Sequence, residues 1–129
     1  MPAFQLQTDR RVQALDVTAS VEEIVASAGV TAGLCVVSAS HTTVALIVNE
    51  YVSDLMHDLE RWIEREAPAK GNYEHPGNAD SHLRAALFGS SVTLPLADGR
   101  LALGTWQSII LLEFDGPRRR RIDVQVVGS

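Results

Sequence analysis

Three histidines stand outside regular apolar packing in this chain, each where a side chain can be aimed. His41 sits in the polar junction SASHTT between two apolar runs. His75 lies in a stretch rich in Gly, Pro and Asn, beside Tyr73 and before Pro76. His82 follows Asp80 in the first turn of a short helical pattern. Imidazoles converging from a strand end, a constrained loop and a helix start are the donor set of a divalent-metal site, zinc by preference, with one coordination position open. A helix N-terminus disfavours protonation, so His82 is expected to stay neutral, with Asp80 as its orienting partner. The spacing matches neither a zinc finger nor an HExxH motif, and three surface or turn histidines remain the plainer alternative. His57 falls off the apolar stripe of a longer helical pattern and is expected to face solvent.

Other residues add chemistry. Glu113 interrupts the apolar run IILLEF, where a carboxylate needs a partner, and it is a candidate general base. Glu50 opens a helix, where negative charge is favourable in any case. Trp106, in LGTWQS, can stack on a heteroaromatic ligand or pack into the core, and Gly104 in that segment suggests a bulge or a close approach. Arg118 to Arg121 form an unbroken run. On a strand, alternate arginines share a face, which either grips a phosphate or stays solvated. Cys35, inside GLCVV, reads as a packed small hydrophobe and is expected to be inert.

These residues need elements to carry them. AFQLQTD and RVQALDVT read as two short strands, and TASVEEIVASAGV as a helix with a Ser20–Glu23 capping box and Gly29 as its stop. GLCVVSA and TTVALIVN are near-continuous apolar runs suited to strands buried on both faces. NEYVSDLMHDLERWIEREAP is the clearest helix, with Asn49 as a candidate cap. AKGNYEHPGNADSH is a long polar loop, of the kind that tends to be functional. The short helix after it places Leu83, Ala86 and Leu87 inward. SVTLPL, RLALG, QSIILLEF and RRIDVQVV are strands, the first two joined by a tight Asp98-Gly99 turn. The expected fold class is α+β, a single domain over 1–129 with mostly antiparallel sheets.

Composition narrows the function classes. The chain has 129 residues, 46% of them apolar, enough for one real core. A net charge of −5 argues against binding nucleic acid by phosphate neutralisation and gives no attraction to anionic membranes. The single cysteine excludes an intrachain disulfide framework and suits a reducing compartment. No signal peptide and no apolar run of membrane-spanning length stands out, so a soluble cytoplasmic protein is expected.

Taken in order, GLCVVSASHTTVALIVNE, NADSHLRAALFGSSVTLPLADGRLALGTWQSIILLEFDGPRRRR and IDVQVV resemble the YjbQ-like family of secondary thiamine-phosphate synthases. His41, Asn49, Glu50, Asn78, His82, Gly89, Gly104, Thr105, Trp106, Gln107, Glu113, Gly116 and Arg118 fall on the family pattern, and Tyr73 and His75 match its loop. Ser40 departs from it, standing where some members carry a second histidine. The resemblance implies a two-sheet β-sandwich with flanking helices that assembles as a trimer and binds a metal near its histidines, here His41, His75 and His82. It also implies condensation of a pyrimidine pyrophosphate with a thiazole phosphate. Asn49, Thr105, Trp106, Gln107, Arg118 and Arg120 would then contact the small phosphorylated substrate, with His41, His82 and Glu113 at the reacting centre. Two rivals stand beside it. One is a metal-dependent hydrolase in which the three histidines hold a zinc-bound water and Glu113 is the base. The other is a non-catalytic trimeric protein that binds a small ligand.

Overall fold

The computed structural model describes residues 1–129. In chain order they form β1 (Ala3–Gln7), β2 (Gln13–Asp16), α1 (Thr18–Ala28), β3 (Gly33–Ala39), β4 (Val44–Asn49), α2 (Ser53–Glu66), α3 (Ala79–Phe88), β5 (Ser91–Ala97), β6 (Arg100–Leu101), β7 (Ser108–Glu113) and β8 (Arg119–Gly128). The strands make two sheets. The larger has the order β1-β8-β3-β5-β6 and the smaller β2-β7-β4. Every pairing is antiparallel. The expected α+β class with two antiparallel sheets is therefore the observed one.

Side-chain alternation explains the layering. In β4 and β7, Val44, Leu46, Ile109 and Leu111 face the larger sheet, where they meet Cys35, Val37, Ile122, Val124 and the α1 residues Val21 and Val25. Their neighbours Ala45, Ile110 and Leu112 face the other way, onto Met56 and Ile63 of α2 and Ala85 of α3. The small sheet is thus the middle layer, covered on both sides, which is why TTVALIVN and QSIILLEF carry no polar alternation. β3 differs from expectation. Cys35, Val37 and Ala39 are buried, but Leu34 is exposed and Val36 only half-buried, because no helix covers the outer face of the larger sheet.

The helices also depart from the expected details. α1 has no side-chain cap on its own residues; the Asp16 carboxylate accepts hydrogen bonds from the Thr18 N–H and hydroxyl instead. Asn49 lies well before α2 and accepts from the Glu50 N–H. α3 is turned over. Ala79, Asp80, Ser81, Arg84 and Ala85 face inward, while Leu83, Ala86 and Leu87 are exposed. The buried face is polar yet fully bonded, so its energetics run on hydrogen bonds and ion pairs that apolar periodicity does not register. The Asp98-Gly99 turn has positive φ at both positions, 54° and 76°, as a type I′ hairpin requires. None of the three helices is long and apolar enough to cross a membrane.

Candidate functional site

At the end of the small sheet where β4 begins and β7 finishes, the chain opens into a cleft of about 370 Å³. The SHTT junction between β3 and β4 supplies Ser40, His41, Thr42 and Thr43. The start of α3 supplies Asn78 and His82, and the turn between β7 and β8 supplies Asp115, Arg118 and Arg120. None of these side chains is apolar. A second depression of about 310 Å³ shares His41, Thr42 and His82 and runs on toward Ala86 and Gly89. Ser40, Thr42, Thr43, Asn78 and Asp115 are not among the expected site residues. The polar hinge between two apolar runs is the available signal for the first three.

The floor of the cleft is a buried ion pair. Arg120 alternates inward from the arginine run, and its Nε donates to Glu113 Oε1 at 2.8 Å while Nη2 donates to Glu113 and to Thr43 Oγ1. The Glu113 carboxylate is fully buried and also accepts from the Thr8 hydroxyl at 2.8 Å and from the Phe114 and Asp115 N–H groups. Burial pushes its pKa up, but the Arg120 guanidinium, the Thr8 hydroxyl and the backbone donors outweigh that and hold it below the usual carboxylate range. A carboxylate with its lone pairs so occupied serves here as the counter-ion of Arg120, an arrangement that does not favour the expected general-base role. Arg120 likewise reaches the cleft already neutralised. Arg118 is the freer cation. It closes the turn through the Asp115 carbonyl at 2.8 Å and carboxylate at 3.1 Å, but remains largely exposed.

His41 accepts a hydrogen bond at Nε2 from the Arg121 N–H at 3.0 Å. That bond requires an unprotonated Nε2, so the neutral ring carries its proton on Nδ1. Burial, and then the charge of Arg120, hold its pKa below the ordinary value, consistent with a neutral imidazole. His41 is thus an N–H donor rather than a ready ligand. His75 and His82 stand side by side, with ring centroids 4.9 Å apart. No three His, Cys, Asp or Glu side chains gather so as to hold a metal ion. Three imidazoles therefore do not form a closed ligand set within one chain; the His75–His82 pair is what the fold brings together.

Asp80 does not orient His82. It is buried and takes a bidentate pair from Arg11 at 2.9 and 3.0 Å. Burial raises its pKa, and the Arg11 guanidinium more than reverses that. Together with the Ser81 hydroxyl donating to the Phe114 carbonyl at 2.6 Å and Asn78 donating to Asp115 at 2.9 Å, this pins the start of α3 to the cleft. Arg84, also buried, ties the helix to Glu64 and to the Ala67 carbonyl.

Asn49, Thr105, Trp106 and Gln107 lie elsewhere. Register pairs Val44 with Glu113 at the cleft end of the small sheet and Asn49 with Ser108 at the other. At about 3.4 Å per residue, the two ends are roughly 17 Å apart. Thr105, Trp106 and Gln107 form an exposed turn just before Ser108. One chain therefore splits the expected site residues between two poles. His57 is exposed on α2, as expected, and Cys35 is fully buried.

The architecture and sequence match known proteins closely. Residues 2–129 match the model of the family described as UPF0047 protein YjbQ-like. A UPF0047 protein of Methanothermobacter thermautotrophicus is 45% identical over 127 residues, covering 96% of this chain and 89% of that one. YugU of Bacillus subtilis is 31% identical, with 99% of both chains covered. The crystal structure of a hypothetical protein from Aeropyrum pernix K1 superposes with a TM-score of 0.96 at 40% identity, covering 99% of this chain and 98% of that one. A YbjQ-like protein of unknown function from Sulfolobus solfataricus P2 gives 0.97 at 34% identity, covering 99% and 96%. On these matches, which span the full fold and nearly every residue, the chain belongs to the YjbQ-like UPF0047 family.

Proposed function

We propose that the His41–His82 cleft binds a small phosphorylated molecule and supports thiamine-phosphate-synthase-like condensation, at least as a side activity of the site. The observation that carries this reading is the lining: hydroxyls, imidazoles, the Asn78 amide and two arginines around about 370 Å³, with no apolar side chain and with one carboxylate, Asp115, which is itself engaged by Arg118 and Asn78. Such a surface suits a phosphate far better than an apolar ligand. In the reaction, the thiazole nitrogen bonds to the pyrimidine's methylene carbon, and the electron pair of the breaking C–O bond leaves with pyrophosphate. Donors held in place before the reaction stabilise that developing charge. Arg118 supplies fixed positive charge. Ser40 and Thr42 offer hydroxyl donors, and the His41 Nδ1–H offers a neutral one. Glu113 and Arg120 act by holding the floor rigid. A divalent cation, zinc or magnesium, fits this reading only at the His75–His82 pair with further donors from outside the single chain. It would supply additional charge neutralisation for the leaving group.

The metal-dependent hydrolase is less well supported, since it needs Glu113 free to take a proton. A non-catalytic binding protein would retain ligand without turnover. The working assembly in our reading is a homotrimer, consistent with the uncovered face of the larger sheet. Continuous detection of released pyrophosphate, with the pyrimidine pyrophosphate and thiazole phosphate supplied together, tests the reaction. Turnover that needs both substrates and is lost in Arg118→Ala and His82→Ala supports it. Absence of turnover with ligand binding intact favours the binding protein.

A further inference from the structure

Asp115 is the one carboxylate on the wall of the cleft, and half of it is unused. Its Oδ2 accepts from Asn78 Nδ2 at 2.9 Å and from Arg118 Nη2 at 3.1 Å, whereas its Oδ1 accepts from no group of the chain. No buried side-chain oxygen or nitrogen lacks a partner. Oδ1 must therefore be reachable from solvent, although the side chain as a whole is only 17% exposed. Asn78 adds a second free acceptor. A carboxylate can only accept, so the Asn78 amide has to turn its Nδ2 toward Asp115. The amide oxygen is then left over, and it does not cap α3.

Both residues are held still by their backbones. The Asp115 N–H donates to Glu113 at 3.1 Å, and its carbonyl accepts from Arg118 Nε at 2.8 Å. The Asn78 N–H donates to the Pro76 carbonyl, and its own carbonyl accepts from the Ser81 N–H, both at 3.1 Å. Acceptors fixed in this way need little further ordering to bind. The charges point the same way. Arg118 and Arg120 are balanced by Asp115 and Glu113, so the cleft has no net field drawing in a bare anion. It is polarised locally instead, with the exposed guanidinium of Arg118 on one side of Asp115 and unpaired oxygens on the other. A ligand complementary to that pattern is anionic at one end and donates hydrogen bonds at the other.

We infer that the cleft selects small phosphate esters that also carry an amino group a few bonds from the phosphate, the phosphate lying at Arg118 and the amino N–H groups on Asp115 Oδ1 and Asn78 Oδ1. This rests on the phosphate reading proposed above and narrows its substrate class. Asp115 opposes a plain phosphate by like charge and favours one whose ligand donates to it. An analogue without the donor leaves both acceptors unpaired when it displaces their water, which is how a polar site discriminates.

O-phosphoethanolamine, ethyl phosphate and phosphocholine form the test set. The first donates N–H groups, the second lacks the amine, and the third keeps the positive charge without an N–H. Binding to the full-length protein is followed by proton–nitrogen correlation NMR, with EDTA present so that no divalent cation bridges ligand and carboxylate. The parent should bind phosphoethanolamine about fivefold or more tighter than either of the others, as a charge-assisted hydrogen bond allows. In Asp115→Asn the new amide oxygen faces the Asn78 and Arg118 donors, which puts an NH2 where Oδ1 was. The preference should then shrink below about twofold, and ethyl phosphate should bind no more weakly than before. Equal weakening of all three ligands, with the preference intact, would show that Asp115 is only structural and overturns the inference. So does a parent that prefers phosphoethanolamine only when magnesium replaces EDTA. The parent series decides the matter even if Asp115→Asn fails to fold. Equal binding of all three to the parent overturns the amine selectivity and leaves the phosphate reading standing, whereas binding of none overturns both.

Discussion

Replacing Glu113 by Leu strips the cleft floor of its only counter-ion and leaves Arg120 buried at 4% exposure without a charge partner. The Thr8 hydroxyl and the Phe114 and Asp115 N–H groups lose their acceptor in the same step. Breaking one side of a buried pair costs about 3–5 kcal/mol, a large share of the roughly 5–15 kcal/mol that holds a domain together. With an unfolding entropy near 2.1 cal/mol/K per residue, a chain of this length loses roughly 4 °C of Tm per kcal/mol. The expected fall is therefore about 12–20 °C. Thermal unfolding followed by circular dichroism, at one fixed chain concentration, measures it. Glu113→Leu combined with Arg120→Met removes both charges and should recover at least half of the loss, because an apolar pair of similar volume replaces the ion pair. A Glu113→Leu Tm within about 2 °C of the parent, or a double variant worse than the sum of the singles, would refute the account of the floor.

Gly116→Ala is expected to destabilise strongly, because a Cβ there would stand 2.2 Å from the Arg10 carbonyl oxygen and 2.7 Å from Thr8 Oγ1; urea unfolding checks it, and an unchanged midpoint would contradict the crowding. Stability should fall in two steps as pH drops. His41, Asp80 and Glu113 all have folded pKa values below their ordinary ones, so the unfolded chain binds more protons and stability declines with acid. The His41 contribution is complete above about pH 6.5 and fades below it, whereas the carboxylate contribution is complete above about pH 4.5 and is lost as pH falls through the folded values. His41→Gln should abolish the upper step alone, and an upper step that survives the substitution would assign it elsewhere. Cys35 should react with thiol reagents no faster than the whole domain unfolds, since it is fully buried and burial alone raises its pKa; rapid labelling of the native protein would count against this.

How much of this was legible in the sequence depended on what each residue was packed against. TTVALIVN and QSIILLEF announced a doubly covered layer because both of their faces meet apolar side chains. The histidines and Arg118 stood out as polar residues at element ends, and the fold does bring His41, His82 and Arg118 to one cleft. α3 was misread because Arg84 and Asp80, the residues that look most exposed in sequence, are buried by partners that lie elsewhere in the chain, Arg11 and Glu64. Glu113 was rightly singled out as needing a partner, but Arg120, which supplies it, was hidden in a run of four identical residues. The separation of Trp106 from His41 was invisible, since only strand register reveals that β7 holds its two ends about 17 Å apart.

The central claim is that the cleft binds phosphate-bearing molecules through Arg118 and the imidazoles. Titration of the full-length protein with inorganic pyrophosphate, followed by isothermal calorimetry at low salt, tests it most directly. Saturable binding should weaken at least tenfold in Arg118→Ala and in His82→Ala and stay unchanged in His57→Ala, whose ring lies exposed on α2 away from the cleft. No saturable heat in the parent protein, or equal binding in all four proteins, would contradict it.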